Sequence, residues 1–278
     1  RENVDIPCEE TSNLGTRSIK NYSLRGKKIL FYGDSMTESS ACSNNTITTK
    51  IEDKIDIDTL NYGIGGWGLD QIFLLFKKTY NLFNNESIFL IGLTHDDINR
   101  MMLKGRTTNK PYFTVSDNKL YLHTDHISNN SLTEYFEDYN PKPKVYMINL
   151  ILGKLGIRDI WNAHLNKKNI EKKKMITKLI LKEIKTIKEK NDLNLFFVVF
   201  YTSDYYFGYK DWKINFLESQ FVENDLGYID LKACLSDYVK KNNIYIEDLY
   251  IKTHPNPKGN DVLADCIIET LIKQNLLI

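Results

Sequence analysis

The sequence is short of several things, and each shortage removes a class of function. Four cysteines (Cys8, Cys42, Cys234, Cys266) in 278 residues are too few for a disulfide scaffold. None sits in a C-x-x-C pair, so the spacing of a zinc site is missing; their even number permits a bridge or two without requiring one. Excess charge of either sign is lacking too. The 37 Lys and Arg against 36 Asp and Glu leave a net +1, which argues against a nucleic-acid partner held by phosphate neutralisation. No apolar run approaches the roughly 18 residues that span a bilayer, so no integral membrane segment is expected. Internal repeats and low-complexity tracts are absent as well. Position 1 is Arg rather than Met, which gives the expectation of a processed or trimmed chain in an extracytoplasmic or secreted setting, the compartment otherwise unknown.

What is present is an alternation. Residues 1–26 are polar and irregular and read as an N-terminal arm. Lys28-Ile29-Leu30-Phe31-Tyr32 is then a short apolar run stopped by Gly33, as a buried strand would be. Ile55 to Tyr62 reads as a second strand, Ser87 to Gly92 as a third, Leu195 to Phe200 as the strongest, and Tyr228-Ile229 as a weaker one. Between them lie helical patterns: Leu69 to Leu82, Lys167 to Lys190, and a closing helix from Asp261 to Gln274. Continuous apolar strands alternating with amphipathic helices predict a three-layer α/β/α sandwich around a parallel sheet of about five strands. The rhythm breaks at about 101–166, where short alternating stretches, three prolines and many aromatics suggest an insertion of loops, a hairpin and a short helix. The rest of 27–278 then forms one domain.

In an open α/β sheet, ligands bind beyond the carboxyl ends of the strands. Three segments there carry chemistry. In Gly33-Asp34-Ser35-Met36-Thr37-Glu38, a serine follows a strand directly at a helix start, where free N–H groups would face an oxyanion. The same letters also describe an ordinary helix cap. Asn61-Tyr62-Gly63-Ile64-Gly65-Gly66-Trp67-Gly68 satisfies G-x-G-x-x-G by letter. It follows the second strand, and the acidic residue beyond it, Glu86, precedes the next strand instead of ending it. A dinucleotide site is therefore disfavoured against a tight turn whose backbone approaches a reacting group, with the Gly66 N–H as donor. The third segment is His254-Pro255-Asn256-Pro257-Lys258-Gly259, in a loop before the last helix, where two prolines would fix an imidazole in place.

Together these segments resemble the SGNH/GDSL hydrolases, an esterase and lipase superfamily. The resemblance implies that fold, with a flavodoxin-like strand order, and implies roles: Ser35 as nucleophile, His254 as general base, and the N–H groups of Ser35 and Gly66 as oxyanion donors. Two departures from the family pattern matter. The third block, usually Gly-x-Asn-Asp, reads Gly92-Leu93-Thr94-His95-Asp96-Asp97-Ile98-Asn99-Arg100. An ionised Asp97 would repel an oxyanion, so Asn99, Thr94 or a further N–H stands as its substitute. The acid expected three residues before the histidine is replaced by Ile251. Asp248 could serve if the loop folds back; otherwise a Ser35–His254 dyad with a backbone carbonyl on the imidazole remains.

The implied activity is hydrolysis of short acyl esters, acetyl groups on a carbohydrate among them, with no metal and no organic cofactor. Asp34, Trp67, Asp97 and Tyr205 are the expected substrate contacts, Tyr205 within the aromatic group Tyr201 to Trp212 that follows the strongest strand. A carbohydrate O-acyltransferase using the same acyl-serine, or a weakened carbohydrate-binding protein, are the alternatives. His123 and His126 could be imagined as metal ligands, but a lone H-x-x-H pair in a polar loop reads more simply as solvent-exposed.

Overall fold

The computed structural model describes residues 11–18, 20–39, 41, 43–103, 110–127 and 157–277; His126 and residues 157–168 are described by their backbone alone. The chain opens its sheet with β1 (Ile29–Gly33), followed by the single turn α1 (Ser35–Glu38) and by α2 (Ile47–Ile55). β2 (Thr59–Gly63), α3 (Leu69–Thr79), β3 (Ile88–Leu93) and α4 (His95–Arg100) come next. A hairpin of β4 (Tyr112–Ser116) and β5 (Lys119–His123) turns through Asp117 and Asn118, both at positive φ. The long α5 (Ile157–Asn191) leads to β6 (Asn194–Val199), α6 (Trp212–Glu223), β7 (Tyr228–Asp230) and α7 (Leu231–Asn242). The two-residue strands β8 (Tyr250–Ile251) and β9 (His254–Pro255) precede the closing helix α8 (Pro257–Lys273).

Five strands form one parallel sheet in the order β2-β1-β3-β6-β7. This is the predicted flavodoxin-like order, and its strands are buried end to end at β1, β2 and β3 because helices cover both faces. One face packs Leu30, Tyr32, Phe89, Ile91 and Phe197 with Phe73 and Phe76 of α3, Ile180 and Ile184 of α5, and Leu217 and Phe221 of α6. The other packs Ile29, Phe31, Leu90 and Val198 with Ile47 and Ile51 of α2, Leu235 of α7, and Leu263, Ile267 and Leu271 of α8. Strand order reverses at β1, which has β2 on one side and β3 on the other. The crevice between their carboxyl ends is the switch point where such sheets bind ligands.

Several predicted boundaries shift. Ile55 ends α2 and does not begin a strand; Asp56, at φ 53°, stops that helix and β2 starts at Thr59. The helices α2 and α7 escape the sequence pattern because their apolar faces are narrow, and α6 because its apolar residues are not confined to one face. The closing helix begins at Pro257 rather than Asp261, with Asn256 as its cap accepting from the Gly259 N–H at 2.9 Å. Cys234 of α7 and Cys266 of α8 form a disulfide, Cα to Cα 6.1 Å; Cys8 and Cys42 lie outside the described residues. Among the described residues no helix is long and apolar enough to cross a membrane. The N-terminal arm does more than lead in. Its Arg17 donates from Nη1 to the carbonyls of Glu38 (2.7 Å) and Ser39 and from Nη2 to that of Ala41 (2.7 Å), gripping the segment just after α1.

Candidate active site

Ser35 begins α1 directly after β1, so its backbone N–H lies in the first turn, where helical acceptors are lacking. Asp34 caps that turn through Oδ1, which accepts from the Met36 N–H at 2.9 Å. Asn61 ties the turn to β2: its Nδ2 donates to the Thr37 carbonyl (2.9 Å) and its Oδ1 accepts from the Gly63 N–H (2.9 Å). The two segments are so close that a Cβ on Gly63 would sit 2.1 Å from the Glu38 nitrogen.

The glycine-rich segment then makes a tight turn in which the Trp67 N–H donates to the Ile64 carbonyl at 3.2 Å. Gly66 stands at φ +82°, a conformation open to glycine and strained for other residues. The neighbouring Gly65 lies against α1; a Cβ there would be 2.6 Å from Glu38 Oε2 and 3.7 Å from Ser35 Cβ. The second segment is thus a turn laid against Ser35.

His254 comes from the far end of the chain. Tyr250 pairs with Pro255 and Ile251 with His254, so the histidine lies in a small hairpin rather than a free loop, turned by Lys252 at φ 57° and Thr253. Its Nε2 is 2.9 Å from Ser35 Oγ across 219 positions. The helix behind the hairpin is anchored to the serine segment, because Asn260 Nδ2 donates to Ser39 Oγ (2.8 Å) and the Asn45 carbonyl (2.9 Å).

The other imidazole nitrogen, Nδ1, is 3.1 Å from Thr253 Oγ1. If Nε2 accepts the serine proton, Nδ1 carries hydrogen and the threonine oxygen accepts it. Thr253 therefore fills the place expected for Asp248 or a backbone carbonyl. The Asp248 carboxylate points elsewhere: its Oδ2 accepts from the Tyr245 N–H at 3.0 Å, closing a turn of its own. Ile251, at the usual acid position, is 60% exposed.

Below the serine lies a buried charge cluster. Arg100, at the end of α4, places Nη1 2.5 Å from Asp34 Oδ2, 3.0 Å from Asp97 Oδ1 and 3.3 Å from the Trp67 carbonyl. Asp97 Oδ2 also accepts from the Thr94 N–H at 2.7 Å. Asp34 and Asp97 are fully enclosed, which corrects their expected role as substrate contacts: their oxygens are spent on the protein. Full burial, and then the nearby Asp34, push the Asp97 carboxyl well above the usual range. Burial lowers the His254 pKa from the ordinary 6.5; Asp34 pulls it up and Arg100 pushes it down.

The remaining expected residues are dispersed. Asn99 turns its Oδ1 to Lys173 of α5, accepting at 2.7 Å. Thr94 Oγ1 is buried and without a hydrogen-bond partner. Trp67 is half-buried against the apolar cluster of its sheet face. Tyr205 is 5% exposed, its ring wedged among His95 (5.2 Å between centroids), Tyr201 (5.4 Å) and Tyr209 (5.1 Å), and its hydroxyl buried without a partner. It is thus a packed wall member, while Tyr209 forms the open rim. Tyr201, Tyr205 and Tyr209 line a cavity of about 380 Å³ with Glu218, Asp230 and Lys232. Two residues escaped the sequence reading. Thr253 carried one signal, a hydroxyl beside the histidine; Arg100 carried none, because its partners are assembled by the fold. Among the described residues no cluster of three or more His, Cys, Asp or Glu could hold a metal. His123 is bonded to Thr114 Oγ1 at 2.7 Å and stacked on Tyr112.

No protein-family model and no curated protein matches the sequence. Solved structures do. LAE5, an α/β hydrolase enzyme from the metagenome of Lake Arreo in Spain, matches over 91% of this chain and 97% of its own, at 10% identity and a TM-score of 0.50. Protein YxiM of Bacillus subtilis matches over 93% of this chain and 60% of its own, at 13% identity and a TM-score of 0.50. The chain shares their fold. A lipolytic protein of the G-D-S-L family from Veillonella parvula is also similar, over 89% of this chain and 100% of its own, at 12% identity and a TM-score of 0.49.

Proposed function

We propose that the protein is a serine esterase acting on short acyl esters of small molecules or carbohydrates. The observation that carries this reading is the 2.9 Å approach of His254 Nε2 to Ser35 Oγ beside the Gly65-Gly66 turn. His254 takes the hydroxyl proton as Ser35 Oγ bonds to the acyl carbon. The carbonyl oxygen becomes an oxyanion facing the N–H groups of Ser35 and Gly66. The ester's alcohol then leaves with the proton from His254. Water adds to the acyl-serine by the same path, releasing the acid and returning the proton to Ser35. With Thr253 in place of a carboxylate at Nδ1, the imidazolium lacks an adjacent counter-charge, and a lower rate than a full triad follows.

Burial favours the neutral, basic imidazole, so kcat/KM falls only as pH drops through a value below 6.5. A pH–rate profile measures that limb; a midpoint clearly above 6.5 contradicts the assignment. A fluorophosphonate probe is expected to label the protein at Ser35, the adduct being mapped by peptide mass spectrometry. Absence of labelling at neutral pH in folded protein overturns the enzyme reading. The Cys234–Cys266 bridge supports an oxidising compartment.

A further inference from the structure

We propose that Arg100 is a positioning residue that locks the serine turn, the glycine-rich turn and the segment after β3 into one rigid floor; this rests on the esterase reading. Its Nη1 alone touches Asp34 Oδ2 next to the serine, the Trp67 carbonyl next to Gly66, and Asp97 Oδ1 of its own helix, at 2.5, 3.3 and 3.0 Å. Nη2 lies 3.5 Å from Asp96 Oδ2. The three segments come from three different strand ends, and these contacts bring them to one guanidinium. The oxyanion donors, the N–H groups of Ser35 and Gly66, each sit one residue from an Arg100 partner. A shift of the clamp therefore moves both donors relative to the acyl group, and such misplacement is costly to rate.

The geometry also explains why the residue is arginine. Two carboxylates enclosed side by side repel, and a buried pair without a cation is strongly unfavourable. One ammonium could take up the three contacts of Nη1, but not the reach of Nη2 to Asp96 Oδ2 that the planar guanidinium adds. The clamp has an electrostatic side as well. The charged groups acting on His254 are Asp34 and Arg100, with the neutral Ser35 and Thr253 in hydrogen-bond contact. In a triad the acid beside Nδ1 would supply the negative charge; here the nearest carboxylate influence is the buried Asp34, tempered by Arg100.

The test compares Arg100→Lys, Arg100→Gln and Arg100→Ala with the native protein. The substrate is a small activated acetate ester, and active sites are counted by fluorophosphonate labelling. Per labelled site, kcat is expected to fall roughly 30- to 300-fold with KM within about threefold, as befits misplaced transition-state donors. Lysine should restore part of the loss, and glutamine and alanine none. Guanidinium ion at millimolar concentration should raise kcat of Arg100→Ala several-fold and leave the native protein unchanged. The acid limb of kcat/KM should move to higher pH, because Asp34 then acts on His254 without its counter-charge. Unchanged kcat per labelled site, no rescue and an unmoved pH limb together overturn the proposal and leave a purely structural role. Should the native protein neither label nor hydrolyse, the esterase reading fails separately. The clamp is then read from the His254 titration by NMR in Arg100→Gln: an upward shift supports it, and an unchanged value overturns it.

Discussion

At the carboxyl ends of β1, β2 and β3 the backbone is pinned at nearly every step, whereas at the ends of β6 and β7 the same sheet edge opens into an aromatic cavity. On the pinned side, Asp34, Asn61 and Arg100 each hold more than one segment, and glycines let backbones approach closely. On the open side, Tyr201, Tyr205 and Tyr209 meet edge to face around about 380 Å³ of space. Hydrogen-bonded loops fix atoms to fractions of an ångström, as transition-state donors require. Packed rings set shape and tolerate exchange. One edge of the sheet thus divides into a hydrogen-bonded half that holds Ser35 and His254 and an aromatic half around a cavity of its own.

The division can be broken most severely at its centre. Ser35→Ala and His254→Ala should each cut hydrolysis of an activated acetate ester by roughly a thousandfold or more. Both side chains are partly exposed, so thermal midpoints should barely move; a loss of folding in either variant would point to a structural pair. Gly66→Ala comes next. It forces a side chain onto φ +82° and should lower stability by about 1 kcal/mol and kcat about tenfold, measured by denaturant melts and steady-state kinetics. The aromatic half should respond differently. Tyr209→Ala is expected to raise KM a few-fold at constant kcat, and a kcat effect as large as that of Gly66→Ala would erase the distinction. Tyr205→Phe removes a buried hydroxyl that has no partner, so stability should rise by up to about 1 kcal/mol. The smallest effect belongs to Asp248→Asn, which should keep activity within twofold because its carboxylate serves Tyr245. A tenfold loss there would restore the acid to the imidazole.

The parallel sheet was legible because buried strands are written as unbroken apolar runs, as in Ile29 to Tyr32 and Ile88 to Ile91, while its strand order came only from the family resemblance. The helices α6 and α7 were not: α6 spreads apolar residues around its surface, exposed Val222 included, and buries Lys213 and Gln220, so no single face stands out, while α7 buries only Leu231 and Leu235. Ser35, Gly66 and His254 could be singled out because their neighbours impose local geometry: a strand end, a left-handed turn, two prolines. Arg100 and the Asp34–Asp97 pairing could not, because their roles arise from contacts between segments dozens of residues apart; Thr253 stood beside the histidine, but nothing in the sequence says that its hydroxyl turns to Nδ1. The two alternatives left open at the imidazole, Asp248 or a dyad, have the same origin. Counting residues back from His254 says how far a carboxylate could reach but not which nearer donor, here the Tyr245 N–H, has already engaged it.

The bond from Asn260 to the serine segment has a consequence for biogenesis. Ser35 leaves the ribosome 219 residues ahead of the imidazole that bonds it, and the helix that braces the pair follows directly after. A chain not yet made as far as His254 therefore carries the Ser35 hydroxyl without its imidazole partner, and the pair forms only when the hairpin and α8 dock on the finished sheet.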